Sequence, residues 1–397
     1  MFSGKMNPLM LLVLVLISYY NLPETVRSSP ACTFPAIINF GDSNSDTGGF
    51  SATFGPTPAP NGETFFRMPA GRFSDGRLII DFIAERFGLP FLSSYLDSLG
   101  ANYSHGVNFA SVSSTMIDQN ISLSQGGYSP FYLTIQVMQF SQFIPRSQLF
   151  AKRGWFFNST MPRKEYFNQA LYTIDIGQND LTAGLLAGKT SDEFIPQTIE
   201  VFSGEVKRIY NMGGRYFWIH NTGPLGCLAY VLVGQNNTTA GELDAAGCAV
   251  IYNKAAQEFN VKLNETLVKM RKELPHAVIT YVDIYSAKYS LFLEPAKYGF
   301  KDPLRVCCGH GGGKYNFDFN VKCRSSPAVN GNGTKALSAK ACRQPSKKLV
   351  WDGVHFTDAA NKVVFNLIST GKFSHPPRPL EMACKHQQKE QHINFDD

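Results

Sequence analysis

The sequence predicts an α/β fold: a central parallel sheet covered by helices on both faces. Three observations carry that expectation. Short, β-prone apolar runs recur at residues 36–40, 106–111, 170–174, 216–219 and 278–284. Stretches with apolar residues at helical spacing stand between them, the alternation of a parallel sheet with crossover helices. The chain also shows no internal repeat and no linker, so its 397 residues read as one large domain.

The elements follow in order. Residues 36–40 are short enough for a buried strand. The run stops at Gly41, and Asp42, Ser43, Asn44, Ser45 and Asp46 have the composition of a tight turn leading towards a helix. Ser43 therefore stands where a central strand ends, the edge at which open α/β sheets bind ligands. A Ser/Asn/Asp helix cap is the plainer reading of the same cluster. Residues 51–74, Pro/Gly-rich and aromatic, predict an ordered surface loop. Its Phe65, Phe66 and Phe73 suit an acyl or sugar pocket and equally suit packing. Asp75-Gly76-Arg77 then opens a helix, with Leu78, Ile79, Phe82, Ile83 and Phe87 in register and Gly88 and Pro90 closing it. Residues 106–111 form a short strand running into the hydroxyl-rich turn Ser113-Ser114-Thr115. A helix over 133–150 is kinked or broken at Pro145. The strand at 170–174 ends in Asp175-Ile176-Gly177-Gln178-Asn179-Asp180, again polar groups just past a strand. A helix over 193–210 stops at Gly213-Gly214 and leads to the strand at 216–219. A long helix over 248–274 ends before Pro275, and a strand at 278–284 is followed by another helix. Residues 301–348 have little periodicity and many Gly, Cys and Lys, and read as a disulfide-held excursion. Trp351 to Thr357 is a turn, and residues 358–368 are a closing helix capped by Gly371.

Composition sets the surroundings. Apolar residues at 44% can build a substantial core, and 17% charged residues are too few for disorder. The net charge of +6 is spread without a Lys/Arg-rich block, which argues against a nucleic-acid partner. Lys5, the apolar stretch from Leu9 to Ile17 and the polar residues near Arg27 read as a secretory signal. The apolar run is too short to span a bilayer comfortably. The expected organisation is a signal peptide at 1–29, a single domain over 30–375 and a mobile tail at 376–397. The mature chain is expected outside the cell or in a wall, with the vacuole as the other destination, and without an integral membrane segment. Export makes an even count of eight cysteines a disulfide signal. Cys227 with Cys248, and pairing within 307–342, are the favoured bridges. Zinc is the rival, but adjacent Cys307 and Cys308 are not metal-ligand spacing. Sequons begin at Asn102, Asn120, Asn158, Asn236, Asn237, Asn264 and Asn332, of which the adjacent pair compete for one glycan.

An esterase-type site needs a nucleophilic hydroxyl, an imidazole to take its proton, a carboxylate to orient the imidazole and donors for the oxyanion. Asp352-Gly353-Val354-His355 puts a carboxylate and an imidazole on one short turn. His310-Gly311-Gly312-Gly313 looks like the oxyanion run of α/β-hydrolase lipases. That run precedes the nucleophile, however, and its G-x-S-x-G companion is absent here. Structural glycines in a disulfide loop are the better reading. Gly313-Lys314 is not a phosphate loop either, because Tyr315 replaces the Ser/Thr that motif requires.

Gly41-Asp42-Ser43 with Asp46 and Gly48, Gly106-Val107-Asn108-Phe109-Ala110, Gly177-Gln178-Asn179-Asp180 and Asp352-Gly353-Val354-His355 together resemble the four blocks of the plant GDSL esterase/lipase family, within the SGNH hydrolases. They occur in the family's order and span nearly the whole mature chain. The wording of 34–48, 69–77 and 307–309 resembles the early nodulin-like branch most. The resemblance implies a flavodoxin-like α/β/α three-layer fold and hydrolysis of acyl or acetyl esters without metal or cofactor. It implies Ser43 as nucleophile, His355 as general base and Asp352 as orienting acid. The oxyanion would be met by the N–H of Ser43, the amide of Asn179 and the N–H of Ser113. The family commonly has glycine at that last position, and serine tolerates positive φ less well. Two other classes stay open. Members resembling this branch have been labelled fucosidases, a chemistry that wants two carboxylates, here Asp42 and Asp352. A non-catalytic secreted glycoprotein on the same fold is the third.

Overall fold

The computed structural model describes residues 31–120, 127–234, 242–324 and 337–385. The sheet with all its helices belongs to the compact unit 33–397. The expected signal segment, and the sequons at Asn236, Asn237 and Asn332, lie outside the described residues.

Six strands form one sheet in the order β2-β1-β3-β4-β5-β6. They are β1 (Ile37–Gly41), β2 (Gly106–Asn108), β3 (Leu171–Asp175), β4 (Tyr216–His220), β5 (Val278–Val282) and β6 (Ser374–His375). The first five are mutually parallel, and β6 pairs antiparallel with β5. β1, β3 and β5 are buried along their whole length, the burial expected of parallel strands covered on both faces. The longer helices are α1 (Ile79–Arg86), α2 (Leu133–Ala151), α3 (Gln178–Leu186), α4 (Ser191–Asn211), α5 (Val250–Glu273), α6 (Ile284–Leu293) and α7 (Asp358–Ile368). α1, α6 and α7 pack together as one layer, and α2, α4 and α5 as the other, giving the three-layer α/β arrangement.

The expectation of a kinked or broken helix at Pro145 is narrowed, since α2 runs through it without a break. Proline removes one backbone donor, yet the helix keeps one face buried on both sides of it, through Leu133, Val137, Phe140 and Phe143 before and Ser147 after. Asn179 and Asp180, the polar groups just past β3, stand in the first turn of α3, a helix the sequence reading did not separate. The chain is also packed beyond 376: buried Arg378 donates from Nη1 to Thr280 Oγ1 (3.1 Å), and the Leu380 N–H reaches Ser369 O (3.0 Å). Among the described residues no helix is long and apolar enough to cross a membrane.

Three described bridges close loops: Cys227–Cys248, Cys307–Cys342 and Cys308–Cys323. They match the expected pair and the expected pairing within 307–342. Among the described residues no cysteine is a free thiol.

Candidate active site

From β1 the chain crosses to β2 on one side, and the next strand, β3, lies on the other. The strand order thus reverses between β1 and β3, and open α/β sheets bind ligands beyond the strand ends at such a point. Ser43 stands there, buried, two residues past β1. The turn is tight because Gly41 permits it. A Cβ on Gly41 would stand 2.5 Å from Asp175 O and closer still to Ser45 Oγ. The Asp42 N–H then donates to Asp175 O (3.1 Å), and the Ser45 N–H returns to Asp42 O (3.1 Å). Gln136 of α2 brackets the strand end. Its Oε1 accepts the Gly41 N–H (2.9 Å), and its Nε2 donates to Gly41 O (2.8 Å).

Asn108, at the end of β2, ties the neighbouring strand to this turn. Its Nδ2 donates to Ser45 O (2.6 Å) and Thr47 Oγ1 (2.9 Å), and its Oδ1 accepts from Asn39 Nδ2 (2.7 Å). The chain then turns through Ser113, whose φ is +61°. The serine thus adopts the left-handed conformation that glycine adopts freely. From the first turn of α3, Asn179 Nδ2 donates to Ser114 O (2.8 Å). One amide N–H of Asn179 is used in this way, and an amide side chain carries two.

His355 and Asp352 occupy the turn before α7. Asp352 Oδ2 and Oδ1 lie 2.7 and 2.9 Å from His355 Nδ1. Oδ1 also accepts the backbone N–H of His355 (2.9 Å) and of Val354 (3.1 Å). Burial pushes the Asp352 carboxyl up, but the imidazole and these N–H donors outweigh it and hold the group below its ordinary value. His355 Nε2 is buried and has no hydrogen-bond partner among the described residues. The Phe73 ring stands 5.4 Å from the imidazole, whereas Phe65 and Phe66 pack against each other and under Arg77 and Arg72. Of the three loop aromatics, Phe73 is the one that packs beside His355.

The disulfide excursion supports this turn. The Cys307 N–H donates to Val350 O (3.0 Å), and the Cys308 N–H to Trp351 O (2.6 Å). Trp351 packs with Cys307, Cys308, Val321 and Ala339, and its Nε1 donates to Asn61 Oδ1 (2.8 Å). Gly311, Gly312 and Gly313 form an exposed turn of the excursion, and the Gly312 N–H is already taken by Asn316 Oδ1 (3.0 Å).

A second group of buried titratable side chains lies beneath the strand ends. His220 Nδ1 meets Asp175 Oδ2 at 3.1 Å, and buried Lys288 of α6 holds its Nζ 4.6 Å from the Phe356 ring. Burial raises Asp175, but His220 and Lys288 bring it below its ordinary value. Burial and nearby Asp175 push Asp42 up to about 7. Sequence reasoning finds neither this group nor Gln136, because their partners are remote in the chain and no local pattern marks them.

Of the sequons within the described residues, Asn102, Asn120 and Asn158 are exposed. Asn264 is half-buried with Oδ1 2.9 Å from His375 Nδ1.

Residues 37–368 match the family described as GDSL-like Lipase/Acylhydrolase. A GDSL esterase/lipase of Arabidopsis thaliana is 52% identical over 359 residues, covering 90% of this chain and 93% of the relative. A second protein of that plant, named Alpha-L-fucosidase 3, is 48% identical over 385 residues, covering 96% of this chain and 100% of its own length. The GDSL esterase/lipase ENOD8 of Medicago truncatula is 46% identical over 376 residues, covering 94% and 96%. The last agrees with the nodulin-like wording of the first block.

Proposed function

Because the chain belongs to the GDSL-like lipase/acylhydrolase family and is a carboxylic ester hydrolase, we propose that it works as a secreted, glycosylated serine esterase through Ser43, His355 and Asp352. Ser43 Oγ attacks the ester carbonyl carbon while His355 Nε2 takes its proton. The carbonyl π pair moves to oxygen, where the N–H groups of Ser43 and Ser113 and the second amide N–H of Asn179 meet it. The tetrahedral centre collapses, the C–O bond to the alcohol breaks, and His355 returns the proton to the leaving oxygen. Water repeats the cycle on the acyl-enzyme. Asp352 fixes the imidazole with its proton on Nδ1, leaving Nε2 to accept. The observation that carries the reading is His355 itself: Nδ1 held by a carboxylate, and Nε2 buried without a partner among the described residues.

The relative named Alpha-L-fucosidase 3 keeps a glycosidase reading in view. Its carboxylate pair would be Asp42 and Asp352, yet both oxygens of Asp352 already meet His355. Ser43→Ala separates the two. It abolishes ester hydrolysis under the first reading and spares aryl fucoside cleavage under the second. A serine-directed organophosphorus reagent, followed by peptide mapping, is expected to label Ser43. Label on another serine, or ester turnover surviving Ser43→Ala, refutes the assignment.

A further inference from the structure

The segment from Val112 to Ile117 carries Ser113 and is anchored at both ends by buried carboxylates. At its start, Asp46 Oδ2 accepts the Val112 N–H (2.9 Å). The same carboxylate accepts the N–H groups of Gly48 (2.8 Å), Gly49 (2.6 Å) and Phe50 (2.9 Å), which fixes it to the start of the short helix Gly49–Phe54 that follows Ser43. At the far end, both oxygens of Asp180 lie 2.9 Å from the Met116 N–H, and Oδ1 lies 3.3 Å from the Ile117 N–H. Asp180 follows Asn179 on the first turn of α3, so one helical turn grips the segment twice, at Ser114 O and at Met116.

Between these anchors Ser113 holds φ at +61°, a conformation that a residue with a Cβ leaves readily when nothing fixes its neighbours. We propose that Asp46 and Asp180 are positioning residues that clamp the 112–117 segment and thereby aim the Ser113 N–H at the developing oxyanion; this rests on the ester-hydrolase reading above. Neither carboxylate touches the substrate. Each acts through backbone donors on either side of Ser113. The logic of preorganised donors applies: an N–H helps the transition state only if it already points where charge will develop.

The test is Asp180→Asn, which keeps the shape but replaces one accepting oxygen with an amide N–H facing the Met116 donor. On one small acetyl ester kcat should fall by about a hundredfold, the lower end of what losing one oxyanion donor costs, with KM nearly unchanged. The inhibition constant of a trifluoromethyl ketone, whose adduct carries the oxyanion, should rise by the same factor. A purely structural role would lower thermal stability and leave that constant unchanged, which overturns the proposal, as does an unchanged kcat. Amide hydrogen exchange on the wild-type protein gives an independent reading should the variant fail to fold. The N–H groups of Val112, Met116 and Ile117 should be strongly protected, and exchange at unprotected rates overturns the clamp. Exchange does not depend on turnover, so failure of the clamp is distinguishable from failure of the esterase reading, which inertness towards esters would reveal.

Discussion

Replacing Asp352 by asparagine should do more damage than replacing it by alanine, although asparagine is the closer isostere. The reason is the way the carboxylate is already committed. Oδ1 accepts the backbone N–H groups of Val354 and His355 at 3.1 and 2.9 Å. An asparagine here must turn its carbonyl oxygen to those two donors, since an amide N–H facing them would leave buried donors unpaired at about 1–3 kcal/mol each. Its Nδ2 then falls where Oδ2 was, 2.7 Å from His355 Nδ1. An N–H donor in that place demands an unprotonated Nδ1, so the ring proton moves to Nε2, the atom that accepts from Ser43 in the proposed mechanism. A locked wrong tautomer cost about 10⁴ in kcat in the serine protease where the equivalent change was studied, and the same order is expected here. Alanine removes a charge-assisted hydrogen bond worth about 1.5–3 kcal/mol, or about 10–10² in rate at 1.36 kcal/mol per tenfold. Lost turn geometry adds to that, but the imidazole remains free to choose its tautomer. The assay is kcat/KM on a small acetyl ester for the wild type, Asp352→Ala, Asp352→Asn and His355→Ala, with circular dichroism to establish folding. The expected ranking is wild type, then alanine at 352, then asparagine at 352 close to the His355 variant. Asparagine within tenfold of wild type, or above alanine, would refute the reasoning.

Three further outcomes are expected from the same geometry. Ser113→Gly should keep near wild-type turnover and gain about 1 kcal/mol of stability by relieving the left-handed residue; a large loss of kcat would mean the serine side chain has a role of its own. Asp42 and Asp180 are both raised to about 7, chiefly by burial, from an ordinary value of 3.8. The folded protein therefore keeps protons that the unfolded chain releases between about pH 4 and pH 7, so stability falls as pH rises through that window. The melting temperature should drop from about pH 5 to about pH 8 and drop less in Asp42→Asn, and equal slopes would contradict the assignment. Cys308→Ser with Cys323→Ser should lower turnover as well as the melting temperature, because the Cys308 N–H and the bridge brace Trp351, next to Asp352. Unchanged kcat in a destabilised variant would show that the brace does not reach the site.

What is legible in the sequence is what is encoded locally. The strand ahead of Gly41 announces itself through five residues, and α7 has readable bounds because Thr357 caps it and an amphipathic run fills it. Asp352 and His355 share one turn, so their pairing needs no knowledge of the fold. β6 escapes such a reading because two residues carry no periodicity; it exists only as an antiparallel addition to β5. α3 is hidden because its first turn is made of polar residues used for other purposes, Asn179 and Asp180. The clamp on Ser113 illustrates the boundary best. Asp46 and Asp180 are visible in the motif blocks, but their partners Val112 and Met116 lie 66 and 64 residues away and donate through backbone N–H groups, which every residue but proline possesses. A sequence cannot advertise a bond whose donor is common to nearly all residues. That is also why the departure from glycine at Ser113 reads as a threat to the oxyanion hole. The strain is local and readable, whereas the two carboxylates that accept the N–H groups flanking it become its neighbours only when the sheet edge is assembled.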